Sequence, residues 1–364
     1  MNYRFIRNVI LKGLLLFLVI NFAWALFEGT NSSRFSLYNG LLKGRERLPY
    51  GDNPAESYNL SLYDIDAMLA SHRLNGTPKQ ADEYRVIVLG DSSTWGTLLR
   101  PEETLAGQLD AAGMQTDDGR QVRFYNLGYP TLSLVKDLMI LEEAMRYAPD
   151  LILWPVTLES FPRQNQLESP IVANNSARVN ALISTYSLNL TPLEENTSFW
   201  QRTLIGLRRA LADRLRLQIY GVMWSATGID QAYPADYTPA QRDLEDNEDY
   251  YGWAPPEIPE NGLAFDLVSA GMRIAGEVPV ILVNEPMLVS EGENSEFRYN
   301  YYYPRWVYDA YRVELADACN SNSWTCLDLW DAVPQEHFTN TAIHRNAYGE
   351  ALFAQRIIES GLIP

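Results

Sequence analysis

Metal-binding and redox residues are scarce in this chain. Its 364 residues include two cysteines, Cys319 and Cys326, and three histidines, His72, His337 and His344. No C-x2-C or H-x3-H spacing joins them and no H-E-x-x-H occurs, which argues against a metal centre. The cysteine spacing is not the C-x-x-C redox motif. Two neighbouring cysteines in an otherwise cysteine-free chain are a disulfide candidate in an oxidising compartment; the alternative is two small buried thiols. Basic residues are also few, with 29 Lys and Arg against 46 Asp and Glu and a net charge of −17. That balance excludes nucleic acid, whose phosphates need a basic face, and argues against general adhesion of the whole chain to anionic lipid. What is present is globular composition, 46% hydrophobic and 12% aromatic. The length suits one large or two ordinary domains and a core that needs no disulfide staples.

Only one long uncharged apolar run occurs, Gly13 to Phe27, preceded by Arg4, Arg7 and Lys12. A spanning helix needs about 20 apolar residues. Asn8 to Leu11 extend the run, with Lys12 able to snorkel, and Trp24 sits where an interfacial aromatic belongs. The run ends in Ala25-Leu26-Phe27-Glu28 without a small-x-small cleavage site. Residues 1–28 are therefore expected to be an uncleaved transmembrane anchor. The short basic N-terminal tail favours an inside N-terminus, although Arg34, Lys43, Arg45 and Arg47 follow on the far side. Together with the possible disulfide, this places a single-pass protein in the cell membrane with its globular part outside the cytoplasm.

Residues 29–80, with turn signals at Gly51-Asp-Asn-Pro54 and Asn75-Gly-Thr-Pro78, read as a juxtamembrane stalk packed on the body. From there strands and helices alternate. Strands are expected at Arg85–Leu89, Val122–Leu127, Leu151–Val156, Pro279–Asn284 and Thr325–Leu329, and helices at Pro101–Met114, Leu132–Tyr147, Arg305–Ala318 and Ala347–Ser360. That order predicts parallel βαβ units over 81–364, interrupted by a mostly helical insertion at 160–275. Within it Arg202 to Arg216 is a basic helix with Leu204, Leu207, Leu211 and Leu215 on one face. It is expected to pack those leucines on the body; the alternatives are a membrane-surface helix or a cover for the active site. N-x-S/T triplets stand at Asn31, Asn59, Asn75, Asn174, Asn189 and Asn196.

In open parallel sheets, ligands bind beyond the carboxyl ends of strands. Gly90-Asp91-Ser92-Ser93-Thr94-Trp95-Gly96 lies at such an end and places a serine on a glycine-flanked turn, where the bland reading is a helix N-cap. The G-x-S-x-G nucleophile elbow is absent. The stretch Val86 to Gly96 resembles the GDS block of the SGNH (GDSL-like) hydrolase superfamily. Pro101-Glu-Glu-Thr104 resembles the stretch after that block in envelope members, Tyr125-Asn-Leu-Gly128 resembles the second block, and Ile343-His344-Arg-Asn346-Ala-Tyr-Gly349 the last. The resemblance spans 85–360. It implies an SGNH/flavodoxin-like three-layer α/β sandwich around a central parallel sheet, behind the N-terminal transmembrane helix.

It also implies Ser92 as nucleophile, His344 as its base, and the N–H groups of Ser92 and Gly128 as oxyanion donors, with no metal or organic cofactor. Two positions depart from the pattern. No asparagine ends the third strand, where Thr157 could donate a hydroxyl and Glu159, if ionised, cannot donate. Three residues before His344 stands Thr341 instead of an aspartate, so the third triad member is sought among Asn340, Glu336, Asp331 and Asp328. The resemblance implies a serine esterase or acyltransferase acting on acyl, foremost acetyl, esters of an envelope polysaccharide, glycoconjugate or lipid. The alternative is an impaired relative that binds glycan or an envelope partner. Tyr299 to Trp306 could stack on sugars or pack the seam between insertion and sheet. The insertion could also dock an integral-membrane acyl donor.

Overall fold

The computed structural model describes residues 3–26, 34–51, 63–195, 198–229 and 236–364. The turn residues 52–54, the end of the expected anchor at 27–28, and the triplets at Asn31, Asn59 and Asn196 lie outside them. In chain order the principal elements are α1 (Tyr3–Leu26), α2 (Ile65–Ser71), β1 (Glu83–Val88), α3 (Ser92–Trp95), α4 (Leu105–Ala111), β2 (Gln121–Asn126), α5 (Leu134–Ala144) and β3 (Leu151–Val156). The insertion carries α6 (Ser176–Tyr186), α7 (Arg208–Thr227) and α8 (Phe265–Ala275). Then come β4 (Val280–Asn284), α9 (Arg305–Asn322), β5 (Thr325–Asp328) and α10 (Ala347–Glu359).

The five strands form one parallel sheet in the order β2-β1-β3-β4-β5. This is the flavodoxin-like doubly wound order, and its switch point lies between β1 and β3. Both faces are covered, which is why the strands read as continuous apolar runs rather than alternating ones. Successive side chains point to opposite faces. Ile87, Tyr125, Ile152, Trp154 and Leu282 enter one core with α2, α5, α8 and α9. Val86, Val88, Phe124, Leu153 and Ile281 enter the other with α4 and α10.

Helix α1 has 24 residues, an apolar composition and most side chains exposed, Leu15 at 63%. At 1.5 Å per residue it is about 36 Å long, enough for a hydrocarbon core of about 30 Å. Residues 34–51 pack on the body, with Tyr38 and Leu48 in its core. Arg45 and Arg47, expected as flanking charge, are buried. Arg45 lies over the Trp224 ring at 4.3 Å. Arg47 lies over Trp95 at 4.2 Å and donates to Gly96 O at 2.8 Å. His72 is buried too, its Nδ1 accepting the Leu74 N–H at 3.2 Å as a helix cap.

One element departs from expectation. The basic helix begins at Arg208, not Arg202, and runs on to Thr227. Thr203 Oγ1 accepts the Gly206 N–H at 3.2 Å, a local bond that competes with helix and leaves 203–207 as a turn. The face turned to the body is Leu217, Gly221 and Trp224, while the expected contact residue Leu215 is 61% exposed.

Candidate active site

β1 ends at Val88, and Gly90 turns the chain at φ +137°, where a Cβ would overlap Thr94 Oγ1. Glycine is required there because L side chains avoid that region. Asp91 then caps the short helix α3, its carboxylate accepting the Ser93 N–H at 2.7 Å. Asp91, Ser93, Thr94 and Trp95 are buried, and Ser92 is the half-open member of the turn. The buried Lys136 ammonium on α5 holds this turn to the core by donating to Gly90 O at 2.7 Å.

The C-terminal loop meets this serine. His344 Nε2 lies 2.7 Å from Ser92 Oγ, across 252 residues of chain. His344 Nδ1 lies 2.9 Å from Asn340 Oδ1. With the amide oxygen on Nδ1, the imidazole carries its proton there and presents its Nε2 lone pair to the serine hydroxyl. Burial, and next the Arg345 charge, push the His344 pKa down to about 3, so the ring is neutral at physiological pH.

Of the four side chains expected as candidates for the third member, only Asn340 reaches the ring. Asp331 and Glu336 are not hydrogen-bonded to it: both are exposed, Glu336 on the 3-10 turn Gln335–His337, and Asp328 instead pairs with Arg312 at 2.6 Å. Thr341, at the position where an aspartate was expected, caps the turn: its Oγ1 accepts the His344 N–H at 3.1 Å. His337 packs its ring on Tyr348 at 4.6 Å.

The expected oxyanion donors divide. The Ser92 N–H is at the first turn of α3 and lies outside the helix's own ladder. The Gly128 N–H is engaged, donating to Asn126 Oδ1 at 3.0 Å, so it reaches a substrate oxygen only by exchanging that partner. Thr157 is corrected: it is fully buried, and its hydroxyl is paired with the Tyr303 hydroxyl at 3.0 Å inside an aromatic cluster. Glu159 does not replace it as donor. Burial raises its pKa, but it accepts from Tyr250 at 3.0 Å and from Tyr251.

Gly128 matters sterically as well. A Cβ on it would lie 2.5 Å from Trp95 N in the serine turn. Gly128→Ala is expected to cost roughly 1–3 kcal/mol of stability, read by denaturant unfolding, and to lower any Ser92-dependent activity with it. Unchanged stability would contradict this packing.

A buried ionic network joins the serine turn to the histidine loop. Ser93 Oγ donates to Glu285 Oε2 at 2.5 Å, just beyond β4. Arg345 binds Glu285 at 3.2 Å, Glu350 at 3.0 Å, and the carbonyls of Pro286 and Ile343, each at 3.0 Å. Burial raises Glu285 to about 8, helped by Asp91 and opposed by Arg345, and raises Glu350 to about 7. Sequence reasoning misses these residues as site members; the only signal is a charged residue directly after an apolar strand. The aromatic stretch packs the seam, with Tyr303 fully buried beside Tyr308 and Tyr311 of α9. Tyr301 reaches the histidine loop, its hydroxyl accepting the Ala342 N–H at 3.2 Å. Cys319 and Cys326 form a disulfide between α9 and β5, away from this site. No group of three or more His, Cys, Asp or Glu able to hold a metal occurs among the described residues.

No protein-family model matches this chain, and no curated protein matches it. Among solved structures it is similar to a member of the lipolytic protein G-D-S-L family from Veillonella parvula, with 13% identity, 76% of this chain and 96% of that chain covered, and a TM-score of 0.35. Est24, a carbohydrate acetylesterase from Sinorhizobium meliloti, has 14% identity, 76% and 97% coverage and a TM-score of 0.33. A catalytic mutant of Axe2, an acetylxylan esterase from Geobacillus stearothermophilus, has 11% identity, 77% and 95% coverage and a TM-score of 0.37.

Proposed function

We propose that this protein is a membrane-anchored SGNH-type serine ester hydrolase or O-acyltransferase, with α1 as anchor and the α/β body outside the cytoplasm. The observation that carries the chemistry is the Asn340–His344–Ser92 relay, with contacts of 2.9 and 2.7 Å at a strand end of the switch point. Ser92 Oγ attacks the ester carbonyl while its proton passes to His344 Nε2. The tetrahedral oxyanion is met by the Ser92 N–H, and by the Gly128 N–H once Asn126 yields it. Collapse expels the alcohol, which takes the proton from His344 Nε2. Water then attacks the acyl-serine with His344 as base, or a second hydroxyl does so and receives the acyl group. An acyl ester of an envelope glycan, glycoconjugate or lipid suits a body tethered at the membrane surface, where tethering raises effective concentration. The disulfide supports the extracytoplasmic side.

The test is p-nitrophenyl acetate hydrolysis by the full chain in detergent micelles as a function of pH. The base must be neutral, and the His344 pKa lies at about 3 rather than 6.5. So the fall in kcat/KM caused by protonating His344 is expected only below about pH 5, apart from any change between about pH 8 and 7 where Glu285 and Glu350 titrate. An acid limb centred near the ordinary histidine value would contradict the burial-lowered pKa of His344, and a limb unchanged in His344→Ala would contradict this assignment of the base. Folding must be followed in parallel, because neutral His344 and His72, both lowered to about 3, contribute stability that is complete above 6.5 and lost as pH falls toward 3. A second reading, glycan binding without turnover, is favoured by the engaged state of the Gly128 N–H and the Thr157 hydroxyl. Background rates at every pH would select it.

A further inference from the structure

Helix α7 is apolar on two opposite faces. Leu217, Gly221 and Trp224 are buried against the body, with Gly221 leaving room for the Tyr38 ring. At 3.6 residues per turn, Leu215, Ile219 and Val222 fall on the other side, where they are 61%, 59% and 50% exposed. A surface helix facing water keeps that side polar. Arg208, Arg209 and Arg216 border or share this outer half, a local basic cluster in a chain of net charge −17.

The approach to α7 touches the end of α1. Phe22 stacks on Phe199 at 5.3 Å and lies 6.0 Å from Trp200, and the Ile205 N–H donates to Asn21 Oδ1 at 3.3 Å. Trp200 and Ile205 nevertheless remain 66% and 48% exposed. These contacts sit at the last turns of α1, the level of a membrane interface if α1 spans the bilayer. Exposed apolar side chains thus continue along the chain from the end of α1, through Trp200 and Ile205, onto the outer stripe of α7.

We infer that α7 is an interfacial helix whose Leu215–Ile219–Val222 face enters a bilayer containing anionic lipid, with Arg208 and Arg209 at the headgroup phosphates, while Arg214 and Arg216 keep Asp64 and Asp213 as partners. This rests on the reading of α1 as a membrane anchor. Such a helix lies in the plane of the interface, about 5–10 Å into the headgroup and acyl boundary. Its attachment is intramolecular once α1 is inserted, so a short stripe suffices. The body is then held down on the membrane rather than swinging on a tether.

The test uses the full chain in phosphatidylcholine vesicles with and without phosphatidylglycerol. Leu215→Cys, Ile219→Cys and, on the exposed side of α10, Gln355→Cys each carry an environment-sensitive fluorophore; the native cysteines are bonded to each other. The labels at 215 and 219 are expected to lose most of their emission to a shallow lipid-borne nitroxide, more so with phosphatidylglycerol, while 355 responds to aqueous iodide only. If the chain floats with vesicles after an alkaline wash but 215 and 219 respond like 355, the inference fails and the anchor stands. If the chain does not float, the anchor reading fails and takes the inference with it. Labels shielded from both quenchers would mean a second copy covers the stripe, and would overturn the assignment to lipid.

Discussion

Ser92→Ala is expected to abolish ester hydrolysis while leaving the protein folded, a loss on the order of 10⁴ to 10⁶ in kcat. The size follows from what the residue does. In the proposed reaction it supplies the atom that forms the acyl bond, and its hydroxyl is the group that meets His344 Nε2. The neighbouring Ser93 cannot substitute, because it is buried with its hydroxyl bound to Glu285 at 2.5 Å. The fold is expected to survive because Ser92 is half-open and the turn is held by Asp91, Gly90 and Lys136 rather than by the serine hydroxyl. His344→Ala should lose about as much, and the double variant no more, since residues acting as one unit are not additive. Circular dichroism and p-nitrophenyl acetate turnover, side by side, decide the matter. Equal rates in wild type and Ser92→Ala would remove the hydrolase reading altogether.

Asn340 carries the second large effect, and its two substitutions should move activity in opposite directions. The amide oxygen, 2.9 Å from His344 Nδ1, fixes the tautomer that leaves Nε2 free to accept. Asn340→Ala removes that acceptor, and losing tautomer control is expected to lower kcat by on the order of 10² to 10⁴. An amide does not neutralise the imidazolium that forms in the transition state, which fits a histidine held near pKa 3. Asn340→Asp places a carboxylate on the same atom. A charge-assisted hydrogen bond is about twice as strong as a neutral one, so kcat should rise by roughly 10-fold. The acid limb of the pH profile should move upward from about 3, because a nearby negative charge favours the protonated ring. The pH shift separates this role from a purely structural one. If Asn340→Asp altered neither kcat nor the acid limb, the amide would be a loop brace and not the orienter of His344.

The alternation of strand and helix could be read directly from the chain, because both-faced burial leaves an apolar run at each strand. Leu151–Val156 has the same bounds in sequence and structure, and the other strand ends differ by at most two residues. Ser92 and His344 are singled out through the resemblance of their two short blocks to a known family, and the structure brings these side chains to 2.7 Å of each other. The long apolar helix at the N-terminus is a matter of composition. Helix α7 was legible only in part. A hydrophobic pattern shows that leucines are there, but not which of two apolar faces the body covers; Tyr38 and Arg45, from far earlier in the chain, settle that. The choice of Asn340 over Glu336 and Asp331 was also beyond sequence, because all three are near in number and only the path of the loop brings one of them to Nδ1. The engaged Gly128 N–H, the buried Thr157 and the Glu285–Arg345–Glu350 network belong to the same class. Each depends on contacts between segments distant along the chain, formed where strand ends converge, and no local preference encodes which polar group will meet which.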